Sequence, residues 1–283
     1  MTTLREDTHV ERQTIQVRKV TPVIGAEIGG VDLSRSLGNR EFHEIHDALM
    51  ENLVVFFRDQ RMTVEEHIAF GRRFGEPIVH PAASSSIAGH PEIRVVKSDE
   101  TTLQATGEVW HSDLSCQPEP PMGSILYLTE VPPDGGGDTA FANMYRAYET
   151  LSPRMKAHID GLTAIHDSGH VYTRATYDAK TDKALPRAEH PIVRTHPVTG
   201  RKALFVSRGF TTHIAGLPAR ESAAILDFLF EHIETPEFQC RFHWQPNSVA
   251  LWDNRCVQHR AIYDYHPHRR YGHRVTIRGD KPF

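Results

Sequence analysis

Only three of the 283 residues are cysteine, at positions 116, 240 and 256. An odd, scattered set excludes a disulfide framework and points to a reducing compartment. No apolar run approaches the roughly 20 residues that a membrane-spanning helix needs. A basic excess is missing too: 32 Lys and Arg stand against 36 Asp and Glu, for a net charge of −4. That balance argues against non-specific nucleic-acid binding, which requires a basic face. The opening MTTLREDTHVERQ is polar and mixed in charge, unlike a secretory signal, so a cytoplasmic location is expected. Several catalytic signatures are absent. GGGDTAF (135–141) lacks the GK[ST] of a phosphate loop and reads as a tight turn before a strand. HEIHD (43–47) lacks the HExxH spacing, and neither GxSxG nor a Cys/His nucleophile motif occurs. There is no internal repeat and no low-complexity linker.

What is there is ordinary for a globular chain: 39% hydrophobic and 24% charged residues, enough to bury a core without disulfides. NREFHEIHDALMEN (39–52) reads as an amphipathic helix. TVEEHIAFGRRF (63–74) opens with a capping box formed by Thr63 and Glu66. Strands are expected at QVRKV (16–20), LVVFF (53–57), EIRVV (92–96), VWHSDLS (109–115), SILYLTEV (124–131) and DTAFAN (138–143). More follow at IVRTH (192–196), KALFV (202–206), FQCRFHW (238–244), SVALWD (248–253) and HRVTIRG (273–279). Helices are expected over 144–162 and 220–233. The expected architecture is therefore mostly β with flanking helices, a double-sheet jelly roll. It forms one domain over 1–283 with a helical insertion around 144–190. A mixed α/β sheet is the alternative, without a regular βαβ alternation to support it.

VWHSDLSC (109–116) places a histidine and an aspartate two positions apart. The same spacing occurs at His9/Glu11, His90/Glu92, His158/Asp160 and His232/Glu234, so the pattern alone is weak evidence. On a strand, residues i and i+2 face one side; on a helix they diverge. His158/Asp160 follows a helix start at Ser152 and Pro153, and His232/Glu234 ends a helix. His90/Glu92 spans a proline after a Ser-rich loop, and His9/Glu11 lies in a polar tail. Only His111/Asp113 then has a strand context. His259 lies 148 residues further on, after SVALWD and a DNR turn. Taken alone it reads as a polar turn residue. With the pair it would complete two histidines and one carboxylate, a set that leaves coordination positions open and suits non-haem Fe(II).

In HRRYGHRVTIR, period two puts Arg270, Gly272, Arg274, Thr276 and Arg278 on one face. Two arginines with a glycine between them leave room for a ligand, and planar forks favour carboxylate or sulfonate groups. A solvated edge strand is the competing reading.

Many stretches in one order resemble the taurine/dichlorophenoxyacetate dioxygenase family of Fe(II)- and 2-oxoglutarate-dependent enzymes. They are IGAEIGGVDLSRSL (24–37), VVFFRDQ (54–60), WHSD (110–113), GGGDTAF, HPIVRTHPVTGRKALFV (190–206), LWDNRCVQHRAIYDY and HRVTIRGDKPF (273–283). The resemblance implies a double-stranded β-helix, a kind of jelly roll, with His111, Asp113 and His259 as iron ligands. It implies that Arg270 and Thr139 hold the far carboxylate of 2-oxoglutarate, that Arg274 and His80 hold the substrate's anionic head group, and that Leu114 and Phe210 line its pocket. Implied partners are 2-oxoglutarate, O2 and a small anionic substrate, with no nucleic acid and no membrane; nothing in the sequence forbids a homo-oligomer. Two departures concern the substrate. Taurine dioxygenases carry asparagine three residues before the Trp of the WH dipeptide, where this chain has Gly107. They carry tyrosine three residues after the His80 equivalent, where this chain has Ala83. The HPAA stretch is closer to the alkylsulfatase branch, and WDNRCV also resembles the phenoxyacetate branch. The expected reaction is therefore hydroxylation of a small sulfonate such as taurine or, in better agreement with these departures, of a larger sulfonate or alkyl sulfate ester, placing the chain in sulfur metabolism. An aryloxyalkanoate dioxygenase, or a zinc-dependent hydrolase on the same metal triad, is the alternative.

Overall fold

The computed structural model describes residues 14–81, 86–104, 107–170 and 185–283. In helix α1 (Asn39–Asn52) the buried Ile45, Ala48 and Leu49 recur at helical spacing and form its inner stripe. Helix α2 (Val64–Arg72) starts on the expected capping box. The Glu66 N–H donates to Thr63 Oγ1 at 3.2 Å, and the Thr63 N–H donates to the Glu66 carboxylate at 2.7 Å.

The protein is mostly β. In chain order the strands are β1 (Gln16–Lys19), β2 (Ala26–Gly29), β3 (Val54–Phe57), β4 (Ser86–Ile87), β5 (His90–Ser98), β6 (Gly123–Glu130), β7 (Thr139–Asn143) and β8 (Thr163–Asp167). Beyond residue 185 come β9 (Arg187–Pro191), β10 (Val193–Thr195), β11 (Lys202–Leu204), β12 (Thr211–Ile214), β13 (Gln239–Phe242), β14 (Ser248–Asp253), β15 (Val257–Ala261) and β16 (Arg270–Ile277). Among the described residues three further α-helices are α3 (Met144–Glu149), α4 (Pro153–Ile159) and α5 (Ala219–Ile233). None of the described helices is long and apolar enough to cross a membrane.

An eight-stranded sheet runs in the order β1-β2-β3-β14-β6-β16-β5-β4, with β2 and β3 parallel and the other neighbours antiparallel. Its side chains alternate between two cores, as the pleat demands. On one face Ile93, Ile125, Tyr127, Val275 and Ile277 pack with residues of α1 and α2. On the other face Val54, Phe56, Leu126, Leu128 and Trp252 pack against the β13-β7-β15 sheet, where Phe56 stacks on Phe242 at 3.9 Å and lies 5.7 Å from Phe141. The β12-β8-β9 sheet joins this second core through Ala164 and Ile214, and α5 joins through Leu226, Leu229 and Ile233.

Three expectations need correction. First, 109–115 is not a strand: His111 forms an isolated bridge and a turn begins at Asp113. Second, His90 and Glu92 do lie on a strand, β5, despite Pro91. They still make no ligand pair, because His90 reaches Glu65 at 3.2 Å and Glu92 reaches Arg72 at 3.7 Å. Third, the described part of the 144–190 segment is not helical throughout: α3 and α4 end at Ile159, and the only further helix among its described residues is a 3-10 turn at Ser168–His170. Antiparallel strands β8 and β9 flank that turn in the chain, and 171–184 lie outside the described residues, as do His9/Glu11 and Ala83.

Candidate active site

Strand β15 sits at one edge of its sheet, and His111 docks on that edge. The His111 N–H donates to the His259 carbonyl at 3.2 Å, and the His259 N–H donates back to the His111 carbonyl at 2.9 Å. The rings lie 4.3 Å apart, centroid to centroid. Asp113 follows in the turn, next to Leu114 at a left-handed φ of 49°, a conformation a branched side chain adopts only when its surroundings impose it. Asn254, in the turn after β14, clamps this backbone from both sides. Its Oδ1 accepts from the Asp113 N–H at 2.7 Å, while its Nδ2 donates to the Asp113 and Pro121 carbonyls, each at 3.0 Å.

The three candidate ligands converge. Asp113 Oδ1 lies 3.7 Å from His111 Nε2 and 3.9 Å from His259 Nε2, so one ion could bind all three. His111 Nδ1 contacts the Val109 carbonyl at 2.8 Å, which makes it the protonated nitrogen and leaves the Nε2 lone pair for the site. Burial and then the neighbouring His111 hold His259 well below the usual histidine range, so it is a neutral imidazole, the form that binds metals. Burial alone would raise the Asp113 carboxyl; Arg274, followed by the two histidines, holds it well below the usual range instead. Arg274 Nη1 donates to Oδ1 at 2.9 Å and Ser124 Oγ to Oδ2 at 2.8 Å.

A second group of side chains gathers along the same sheet face. Arg270 is 6% exposed, its Nε is buried without a hydrogen-bond partner, and it forms no ion pair among the described residues. Its guanidinium lies 5.6 Å from the Trp244 ring centroid. Trp244 Nε1 in turn donates to Thr139 Oγ1 at 3.0 Å, which fixes the threonine hydroxyl as an acceptor and turns its own O–H elsewhere. Burial pulls the Arg270 guanidinium below its ordinary value, against Tyr265 and Asp138. A buried cation without a counter-charge is unfavourable by several kcal/mol, so this arrangement calls for an anion. Nε and Nη2 of Arg274 are likewise buried without an acceptor among the described residues.

The remaining expected residues fall around this centre. Leu114 and Phe210 are 2% and 1% exposed, and the Phe210 ring lies 6.3 Å from that of His111. His80 is buried, within electrostatic reach of Arg274 and Asp113. Gly272 does not open room for a ligand: a Cβ there would stand 2.1 Å from the Tyr127 carbonyl oxygen. It is glycine because β6 approaches at the register shift in its pairing with β16. Gly107, at φ 89°, faces His111, and a Cβ there would stand 3.2 Å from its Cε1.

Asn254, Trp244 and Arg94 were not singled out in the sequence. Asn254 belongs to the DNR turn, Trp244 ends the expected strand FQCRFHW, and Arg94 is one residue of the apolar-looking strand EIRVV. The only signal was period-two alternation in EIRVV. A second cluster, His196, Asp253 and Cys256, also brings three donors together. Its carboxylate is already consumed: Arg255 takes both oxygens, at 2.8 and 2.7 Å, and His196 Nε2 lies 3.0 Å from Oδ2. That cluster pins the turn between β14 and β15.

A two-histidine, one-carboxylate centre beside buried arginines, on a mostly β scaffold, defines a class of metal-dependent oxygenase site. Residues 16–276 match the family described as taurine catabolism dioxygenase TauD, TfdA family, and the chain belongs to that family. The alkylsulfatase of Acinetobacter baylyi is 34% identical over 280 residues, which covers 95% of this chain and 86% of that one. The alpha-ketoglutarate-dependent 2,4-dichlorophenoxyacetate dioxygenase of Cupriavidus pinatubonensis is 31% identical, over 90% of this chain and 95% of that one. The solved structure of a taurine dioxygenase from Burkholderia xenovorans is 40% identical, with a TM-score of 0.83, covering 95% of this chain and 92% of that one.

Proposed function

We propose that this protein is an Fe(II)- and 2-oxoglutarate-dependent dioxygenase that hydroxylates a small sulfonate or alkyl sulfate ester. The reading places the reaction in one cytoplasmic domain built on a double-stranded β-helix. Two sheets facing across a shared core and three free, buried cysteines support that setting. The observation that carries the function is Arg270: a buried cation that forms no ion pair among the described residues, on the strand that also bears Arg274 beside the triad.

The donor set fits ferrous iron, since His111, Asp113 and His259 would hold it on one side and leave the other side open. Bound iron and 2-oxoglutarate would supply oxygen activation, with 2-oxoglutarate leaving as succinate and CO2. The protein's own residues bind and aim. Arg270 pairs with the distal carboxylate by a charge-assisted fork, and the Thr139 hydroxyl, oriented by Trp244, donates to the same end. Arg274 has Nε and Nη2 for the substrate's oxyanion while Nη1 steadies Asp113. His80 closes that end, and Leu114 and Phe210 exclude water around the carbon to be hydroxylated. Hydroxylation of the carbon next to sulfur or ester oxygen gives an adduct that collapses to an aldehyde with release of sulfite or sulfate.

Taurine itself is not favoured, because Gly107 and Ala83 stand where taurine enzymes carry asparagine and tyrosine. The test is succinate formation with Fe(II), 2-oxoglutarate and O2 across alkyl sulfates, sulfonates and aryloxyacetates, with released sulfite, sulfate or phenol identified. Turnover of sulfates or sulfonates supports the reading. Turnover of aryloxyacetates alone replaces the substrate class. Absence of succinate across the panel, or hydrolysis under strict anaerobiosis with zinc and no 2-oxoglutarate, overturns the reaction class.

A further inference from the structure

We propose that Arg94 is a specificity-determining contact for the substrate's head group, seating one oxyanion jointly with Arg274. The proposal rests on the site reading above and adds a residue to it.

Strand β5 alternates between the two cores: Ile93 packs on the helix-covered face, and Arg94 and Val96 point to the face that carries the triad. There Arg94 is the direct antiparallel partner of Arg274 on β16. Directly opposed residues place their Cβ atoms about 4.5–5.5 Å apart on one face, and like charges so placed disfavour the pairing. Arg274 keeps Nε and Nη2 buried without an acceptor among the described residues, and an anion seated on them would lie on the face from which the opposed Arg94 side chain rises. A sulfonate or sulfate, with three equivalent terminal oxygens, can accept from both forks at once.

His80 sharpens the argument. Arg94 Nη1 lies 3.0 Å from His80 Nε2. A guanidinium only donates, so Nε2 is the acceptor and the ring proton sits on Nδ1. Burial, then Arg94 and Arg274, hold His80 well below the usual histidine range, so the ring is neutral. The positive charge at this end of the pocket therefore comes from the two arginines, with His80 packed against Arg94 as a neutral spacer. Gly107 offers the anion no side-chain donor, so the seat depends on arginines.

The test uses full-length, Fe(II)-loaded protein with N-oxalylglycine under strict anaerobiosis, titrated calorimetrically with hexyl sulfate and with hexanesulfonate. Arg94→Leu should weaken both probes by about tenfold or more, and Arg94→Lys should recover part of the loss. The affinity for N-oxalylglycine should hold within about twofold, since Arg270 and Thr139 bind it. In turnover the loss should fall on KM for the sulfate with kcat retained, a split that general unfolding does not produce. Unchanged probe affinity in folded Arg94→Leu protein, or equal weakening of N-oxalylglycine, overturns the assignment, as does failure of the wild-type protein to bind either probe. A selective loss of probe binding in protein that forms no succinate would sustain the Arg94 contact while removing the dioxygenase reading.

Discussion

His111 and His259 are 148 residues apart in the chain, yet each donates a backbone hydrogen bond to the other's carbonyl, at 3.2 and 2.9 Å. Main-chain pairing fixes the two imidazoles before any metal arrives. Asp113 is positioned by hydrogen bonds from side chains: Asn254 on its backbone, Arg274 and Ser124 on its carboxylate.

Asn254→Ala should therefore act on metal binding without touching a ligand. Loss of the clamp lets the Asp113 turn relax, and outer-shell losses of this kind cost about 10–100-fold in metal affinity. His259→Ala, which removes a ligand, should cost more. Titration of the apo-protein with Fe(II) or Co(II) checks both, and equal affinity of Asn254→Ala and wild type would refute the clamp.

Arg270→Met separates 2-oxoglutarate binding from stability. Loss of the buried charge partner should weaken 2-oxoglutarate by about 3 kcal/mol, roughly a hundredfold. The apo-variant should melt no lower than wild type, because an uncompensated buried cation is replaced by an apolar chain of similar length. A rise in KM for the sulfate or sulfonate substrate alone would mean that Arg270 and Arg274 exchange roles.

Ligand loading should show in the melting curve. Metal and 2-oxoglutarate bind only the folded chain, so saturation at about 100 times Kd stabilises it by about 2.7 kcal/mol per ligand. Chelator should reverse the shift. A melting temperature indifferent to Fe(II), to 2-oxoglutarate and to both together would contradict the site.

Acid should destabilise the fold well before the carboxylates titrate. Burial, aided by His273 for His67 and by His190 for His166, holds both rings neutral, down to about 3. In the unfolded chain each takes up its proton near pH 6.5. The unfolded state thus binds more protons below that pH, so stability is intact above about 6.5 and falls as pH drops towards 3. Each ring contributes a slope of up to about 1.4 kcal/mol per pH unit. Urea unfolding at a series of pH values measures the slope, and His166→Asn should make it shallower. A flat profile between pH 7 and 5 would show that these rings are not buried neutral.

Local pattern carried much of the architecture. The boundaries of α1 and β14 follow from 3.6-residue spacing and from a continuous apolar run, and the capping box placed the start of α2. Strands β2, β4, β8, β9, β12 and β15 were missed, because each is short and carries too few apolar residues to stand out as a strand by itself. VWHSDLS went the other way: its strand-like composition yielded one bridge and a turn, because Asn254 and the edge of β15 captured it.

Composition and residue order by themselves determined a mostly β protein with flanking helices, the absence of a disulfide framework, and, through motifs shared with a known family, the residues to suspect. Only the tertiary structure decided that His259 meets His111, that Arg274 leans on Asp113, and that Arg94 stands beside it. Hydrophobic periodicity is local and specifies which face of an element is buried. Which faces come to lie opposite one another depends on long-range strand register, which no short stretch of chain encodes.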